Sequence, residues 1–164
     1  MLYRDDDIRK DTDINIVEAL HQLFLKYNRV HTLGIVLEDI YQTPIWYWMQ
    51  ETYKKTPKNI AFGLHAFVHI DYSLLIYDEV LSDLKKCLDY WNKYRGDLPE
   101  FKHFYPPYSK QSNALYKACE EVGLTCLNHG GIYPMYVFHW GELSLKENVE
   151  RVEQTLIENI KIGN

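Results

Sequence analysis

The feature that most limits the fold of this chain is a regular alternation of short apolar runs with segments of helical periodicity. The apolar runs are typical of buried strands and occupy residues 2–4, 32–37, 60–64, 101–105, 125–127 and 135–139. Apolar residues spaced three or four positions apart predict helices at residues 14–27, 44–53, 76–94, 113–122 and 145–160. Because strands that alternate with helices pair mostly in parallel, the sequence predicts an α/β fold with a parallel sheet or barrel.

Two of the predicted helices carry clear end signals. Ser112 is placed to cap the fourth helix, and Gly123 follows its last periodic residue. Ser144 and Glu147 have the spacing of a capping box, which predicts the start of the fifth helix. These signals support the boundaries that the apolar periodicity indicates.

The length of the chain limits how complete a barrel can be. The chain has 164 residues, which predicts a single domain spanning residues 1–164. A complete (β/α)8 barrel typically needs about 250 residues, so a barrel built here would be short and distorted, with about six strands. Such an incomplete TIM-like barrel leaves sheet edges to cover. We therefore expect either an open groove able to admit a polymer or a homodimer that closes the gap.

Charge and hydropathy argue against several classes of partner. The chain carries 18 Lys and Arg against 23 Asp and Glu, which gives a net charge of −5. General nucleic-acid binders carry a basic surface instead. No run approaches the roughly 18 apolar residues of a membrane span. The N-terminal segment turns acidic at Asp5, without the apolar core of a signal peptide. We therefore expect a cytoplasmic protein that binds neither nucleic acid nor membranes.

Reactive side chains follow several of the predicted strands. Asp5, Asp6 and Asp7 follow the first strand, and His65 and His69 follow the third. Carboxyl ends of parallel strands lie at one edge, so these side chains are expected to meet. Two imidazoles and one carboxylate can hold a metal and leave positions for water and substrate. The histidines are four positions apart, which on a helix would put both rings on one face. The same residues also fit an alternative without a metal, in which the aspartates form an acidic turn exposed to solvent and the histidines have unrelated roles.

Four segments of the chain match known motifs in order. They are Arg4-Asp5-Asp6-Asp7-Ile8, His65-Ala66-Phe67-Val68-His69, Phe104-Tyr105-Pro106-Pro107-Tyr108 and Val137-Phe138-His139. They resemble the motifs Asp-Asp, His-(Ser/Thr)-x-x-His, Phe-Arg-Pro-Pro-Tyr and Leu-x-His of the polysaccharide deacetylase superfamily, the NodB-homology or carbohydrate esterase family 4 type. The resemblance implies a distorted (β/α) barrel and a metal-dependent hydrolase that removes acetyl groups from N-acetylated or O-acetylated sugars, with a carbohydrate as the binding partner.

The resemblance also implies a role for each matching residue. The ligands of a divalent metal ion would be Asp7, His65 and His69. Zinc is the expected metal, with Ni, Co, Mn or Fe as alternatives. Asp6 would be the general base and His139 the general acid. The run of three aspartates leaves the register open, because Asp5 as base and Asp6 as ligand also fit the motif.

Two departures from the motifs bear on activity. Ala66 replaces a hydroxyl residue, and Tyr105 replaces the arginine that in the family helps to orient the base. Residues expected to contact the substrate are Tyr105, Pro107, Tyr108 and Trp140. The departures leave two alternatives open, which are a non-catalytic protein that binds metal and carbohydrate, and a metal-dependent hydrolase of another small amide.

Overall fold

Strands and helices alternate along the chain in the predicted order. The computed structural model describes residues 2–127, 132–136 and 144–162. Its strands are β1 (Leu2–Ile8), β2 (His31–Val36), β3 (Ile60–Ala66), β4 (His103–Phe104), β5 (Thr125–Cys126) and β6 (Ile132–Tyr136). Its α-helices are α1 (Ile14–Lys26), α2 (Pro44–Lys55), α3 (Tyr77–Tyr94), α4 (Asn113–Glu121) and α5 (Leu145–Ile162). The predicted α/β class is confirmed.

The strands form one sheet in the order β5-β4-β3-β2-β1-β6, and every neighbouring pair is parallel. The sheet is strongly curved. Nη1 of Arg4 on β1 lies 3.4 Å from the carbonyl oxygen of Leu127, which directly follows β5. In a flat sheet, strands four places apart would be separated by about 19 Å. The sheet therefore bends back on itself as an incomplete barrel, in agreement with the predicted short (β/α) barrel.

The two helix-end signals act as the sequence predicts. Ser112 Oγ accepts a hydrogen bond of 3.1 Å from the backbone N–H of Leu115 at the start of α4. Gly123, just beyond α4, has a φ of +78°, a conformation that favours glycine. Before α5, the backbone N–H of Ser144 donates to Glu147 over 2.8 Å, and the N–H of Glu147 donates back to Ser144 Oγ over 3.3 Å. This reciprocal pair is the predicted capping box.

Buried apolar side chains pack the sheet against the helices in two clusters. The larger cluster joins the sheet to α2, α3 and α4, and includes Leu33, Ile35, Leu64, Ile45, Met49, Val80, Leu84, Trp91 and Leu115. The smaller cluster joins β1 to α1 and α5, and consists of Tyr3, Leu20, Leu23, Phe24, Val152 and Leu156. This packing fixes the positions of the strand ends. No helix in the described ranges is long and apolar enough to cross a membrane.

Several predicted strand boundaries are wrong. β6 begins at Ile132 instead of at residue 135, and β3 continues to Ala66. β1 continues to Ile8 instead of ending at Arg4, because its parallel pairing with β2 and β6 carries through Asp5 and Asp6. Backbone hydrogen bonding between strands outweighs the low strand preference of aspartate here. β4 is shorter than predicted and consists of His103–Phe104 alone. Because β1 extends through Asp5 and Asp6, strand geometry sets the direction of these two side chains.

Candidate metal centre

Asp5 lies on the helix-covered face of β1. Its Oδ2 is 3.0 Å from Nε2 of His31, and both side chains are 0% exposed. The His31 ring stacks on Phe24 of α1, with 4.6 Å between ring centroids. Burial, and then the neighbouring carboxylates of Asp6 and Asp7, raise the pKa of Asp5. Because successive strand residues alternate between faces, Asp6 points to the opposite, inner face of the sheet.

Asp7 departs from regular strand geometry. Its φ is +61°, and the register between β1 and β2 shifts between Asp5 and Ile8. Such a bulge redirects a side chain. Asp7 Oδ1 lies 3.2 Å from Nε2 of His65 and 3.0 Å from Nε2 of His69. One ligand atom from each of these three residues lies within 4.8 Å of the other two. The structure therefore brings Asp7, and not Asp5, together with the histidines.

The two histidines come from a strand end and the loop that follows it. His65 lies within β3, and His69 lies in the segment before the short helical turn Tyr72–Leu74. The helical arrangement considered for this pair is therefore wrong, although their rings are close, with 5.1 Å between centroids. The side chain of His65 is 3% exposed and that of His69 is 25% exposed. The centre is therefore accessible from the side of His69.

The protonation of His65 is fixed by the backbone. Its Nδ1 lies 2.6 Å from the carbonyl oxygen of Tyr105, and a carbonyl oxygen can only accept, so Nδ1 carries the proton. Nε2 is then the ring nitrogen that faces the carboxylate of Asp7. It can either carry a second proton and donate it to Asp7, or give its lone pair to a cation that both groups share. Two imidazoles and a carboxylate are typical ligands of zinc and similar ions, so the residues present fit a divalent metal.

The charge state of Asp7 also suits a ligand. Burial alone would raise the pKa of its carboxyl group, but hydrogen bonds and charge interactions with His65 and His69 outweigh burial. The pKa of Asp7 is consequently held well below its ordinary value. A carboxylate must be ionised to bind a metal, and Asp7 meets that condition at physiological pH.

A cavity of about 440 Å³ opens in front of Asp7, His65 and His69. Its lining residues are Asp6, Asp7, His65, His69, Pro106, Tyr108, Ser109 and Lys110. Tyr108 is 61% exposed, and its ring centroid is 4.7 Å from that of His69. Lys110 pairs with Asp71 through a contact of 2.6 Å at the rim. Carboxylates, imidazoles and an exposed aromatic ring therefore share one cavity.

The predicted substrate contacts divide into three groups. Tyr108 lines the cavity. Tyr105 is 1% exposed and Pro107 is buried, and neither is among the residues that line the cavity. Tyr105 instead supplies its carbonyl oxygen to His65. Trp140, and His139 as the predicted general acid, lie outside the described residues.

Sequence reasoning does not identify Arg4 as part of the site. Its Nε and Nη2 lie 2.9 Å and 2.6 Å from Oδ2 of Asp6, in a pair whose side chains are 2% and 6% exposed. Residues two positions apart on a strand share a face, so the spacing of Arg4 and Asp6 is the signal that could reveal the pair. The proposed base is thus held by a buried cation from its own strand.

Comparison with known proteins connects this chain to others through its fold. No protein-family model matches the sequence, and no curated protein matches it at a significant level. A carbohydrate esterase family 4 (CE4) pseudoenzyme from Bacillus anthracis is 12% identical, with a TM-score of 0.68 over 99% of this chain and 60% of that chain. A peptidoglycan N-acetylglucosamine deacetylase is 14% identical, with a TM-score of 0.65 over 96% of this chain and 81% of that chain.

An acetyl xylan esterase of family 4 from Clostridium thermocellum, solved with a cobalt ion, is also similar. It is 17% identical, with a TM-score of 0.54 over 71% of this chain and 53% of that chain. The chain thus has the fold of CE4 esterases and deacetylases, which confirms the predicted barrel type. It spans 60% of the pseudoenzyme's length.

Proposed function

We propose that this protein is a metal-dependent hydrolase that removes acetyl groups from N-acetylated or O-acetylated sugars. The observation that carries the proposal is the meeting of Asp7, His65 and His69 with the carboxylate of Asp6 in one cavity of about 440 Å³. The fold shared with a deacetylase and an acetyl xylan esterase supports this reaction class. The exposed ring of Tyr108 supports a carbohydrate partner, because aromatic faces pack well against sugar rings.

The roles of the ligands follow from their geometry. Asp7, His65 and His69 would hold the metal, and zinc suits two imidazole nitrogens and one carboxylate oxygen. A divalent ion held there would act as a Lewis acid toward the acyl oxygen. The hydrogen bond from His65 to the Tyr105 carbonyl keeps Nε2 free for the ion.

Two further residues would move protons. Asp6 would accept a proton from the attacking water as the new C–O bond forms. His139 would then donate a proton to the departing nitrogen or oxygen. That assignment rests on the motif resemblance, since His139 lies outside the described residues. Together the two groups would separate nucleophile activation from leaving-group protonation, as general base and general acid.

The test measures metal content and acetate release separately. Metal-loaded protein is incubated with N-acetylated oligosaccharides and acetylated xylan, and acetate is quantified. Asp6→Asn keeps the side-chain shape but removes the proton acceptor, so turnover should fall at least about 100-fold with unchanged metal stoichiometry. Asp11→Asn is the matched control, since that aspartate side chain is 66% exposed and should leave turnover unchanged. A fully metallated protein that releases no acetate from the whole panel would contradict the proposal.

A non-catalytic binding protein is the second candidate. Tyr105 in place of the motif arginine, together with the fold shared with a CE4 pseudoenzyme, favours it. Such a protein would bind the oligosaccharides by calorimetry, would release no acetate, and would keep its affinity after His139→Ala. Release of another acyl product from a panel of small amides would instead indicate a hydrolase with a different substrate.

A further inference from the structure

Arg4 and Asp6 form a buried ion pair on the inner face of β1. Two guanidinium nitrogens, Nε and Nη2, converge on the same carboxylate oxygen, Oδ2, at 2.9 Å and 2.6 Å. The third nitrogen, Nη1, reaches the carbonyl oxygen of Leu127 across the barrel at 3.4 Å. The guanidinium group is therefore fixed at both ends, by the carboxylate and by the backbone of the opposite side of the sheet.

The ring of Tyr105 packs against the guanidinium group of Arg4. Cζ of Arg4 lies 4.8 Å from the centroid of this ring, within the range of a cation–π contact. The ring fits because Gly63 on β3 has no side chain, and a Cβ there would overlap it. An arginine at position 105 would instead place two cations against one another in a buried site, which is costly. Tyr105 and Arg4 are thus complementary.

We propose that Arg4 is the positioning residue for Asp6. In the family that this sequence resembles, the motif arginine helps to orient the general base, and Arg4 takes that role here. This inference rests on the proposed function, because it needs Asp6 as the proton acceptor. By holding Oδ2, Arg4 fixes the plane of the carboxylate at the cavity wall. Oδ1 of Asp6 has no hydrogen-bond partner within the described part of the chain. The ion pair therefore occupies one oxygen and leaves the second available.

The charge of Arg4 also suits its place beside Asp6. Asp6 is 5% exposed and lies in sequence between two further carboxylates, those of Asp5 and Asp7. Burying a carboxylate without a partner is costly, and Arg4 supplies a counter-charge in direct contact with Oδ2. Arginine suits this role better than lysine, because its planar fork fixes the direction as well as the charge.

The kinetic test compares three substitutions at Arg4 and Tyr105 in the metal-loaded full chain. Arg4→Met should lower kcat about 100-fold through misplacement of Asp6, with KM and metal affinity changed less than about twofold. Arg4→Lys keeps the charge without the fork and should lower kcat about tenfold. Arg4→Met combined with Tyr105→Arg should recover at least about tenfold of the lost kcat. Arg9→Met, at a side chain that is 44% exposed, is the matched control without effect.

A structural role alone predicts a different pattern. Metal affinity and thermal stability would then fall in parallel with kcat, and moving the arginine to position 105 would restore none of them. Unchanged or higher kcat in Arg4→Lys, which retains the buried charge needed for folding, would overturn the proposal.

Crystal structures of wild type and Arg4→Lys give a readout that does not depend on turnover. We expect the Asp6 carboxylate to rotate in the variant, while Asp7, His65 and His69 keep their positions. An Asp6 carboxylate in the wild-type orientation would overturn the positioning role even in an active enzyme. Wild-type protein without turnover would count against the proposed function, and a rotated carboxylate in that case would still support the positioning role.

Discussion

Gly34 on β2 faces Asp6 on β1 so closely that a Cβ at position 34 would lie 2.6 Å from Oδ1 of the carboxylate and 3.3 Å from its Cα. The first atom belongs to a side chain held by Arg4, and the second belongs to the backbone. Neither can move without disturbing β1 or the ion pair. The absence of a side chain at Gly34 is thus part of what places the proposed base.

The substitution Gly34→Ala tests this packing. We expect the unfolding free energy to fall by about 1–3 kcal/mol, because the added methyl group has no space, and turnover to fall with it. Gly123→Ala is the control, since a Cβ there meets nothing within 4 Å and the cost comes only from a φ of +78°. That variant should lose about 1 kcal/mol and keep full turnover. Chemical unfolding and acetate release measure both, and a fully active Gly34→Ala protein would contradict the packing argument.

Substitutions of Asp5 and Asp7 test which of the three aspartates binds the metal. Asp7→Asn removes a charged ligand and should abolish tight metal binding. Asp5→Asn should leave metal affinity within about twofold of wild type, because Asp5 faces His31 on the other side of the strand. Titration calorimetry with Zn²⁺ or Co²⁺ distinguishes the two. Equal losses in both variants would show that the geometry of β1 differs from the one described.

His65 should be far more important for metal binding than His103, which lies on β4 outside the cluster of ligands. We expect His65→Ala to weaken metal affinity at least about 100-fold, since it removes a ligand and the bond that orients it. His103→Ala is the matched histidine control and should bind metal normally. Metal content after dialysis against a weak chelator gives the comparison. Stoichiometric metal in His65→Ala would exclude this residue as a ligand.

Local sequence signals predicted the elements well, and the site only in part. Apolar spacing identifies α3 and α5 because a helix needs only its own periodicity and its caps. The three aspartates of β1 have no such signal. They are strand residues because β2 and β6 supply hydrogen-bond partners on both sides, which no local pattern contains.

The interior of the site depends on contacts between distant strands. Tyr105 is predicted to contact substrate, yet its ring lies in the space beside Gly63 and packs against Arg4. That outcome requires the curvature of the sheet, which brings β1 near the segments after β4 and β5. Tyr108 differs from Tyr105, because its side chain is 61% exposed and lines the cavity.

His21 and His31 make the stability of the fold depend on pH. Burial lowers the pKa of both rings, and for His31 the nearby His21 lowers it further. The folded-state pKa thus lies below the unfolded value of about 6.5. As the pH falls below that value, the unfolded chain binds protons that the folded chain excludes, so stability present above about pH 6.5 is lost on acidification.

Replacing His21 by glutamine should reduce this acid sensitivity. The amide can still reach Thr56, whose Oγ1 lies 2.9 Å from Nε2 of His21, and it does not titrate. Between pH 7 and pH 5, we expect the variant to lose less unfolding free energy than wild type. Urea unfolding at pH 7, 6 and 5 measures the difference. Parallel declines in the two proteins would mean that His21 is protonated equally in the folded and unfolded states, and that the burial of its ring does not disfavour the charged form.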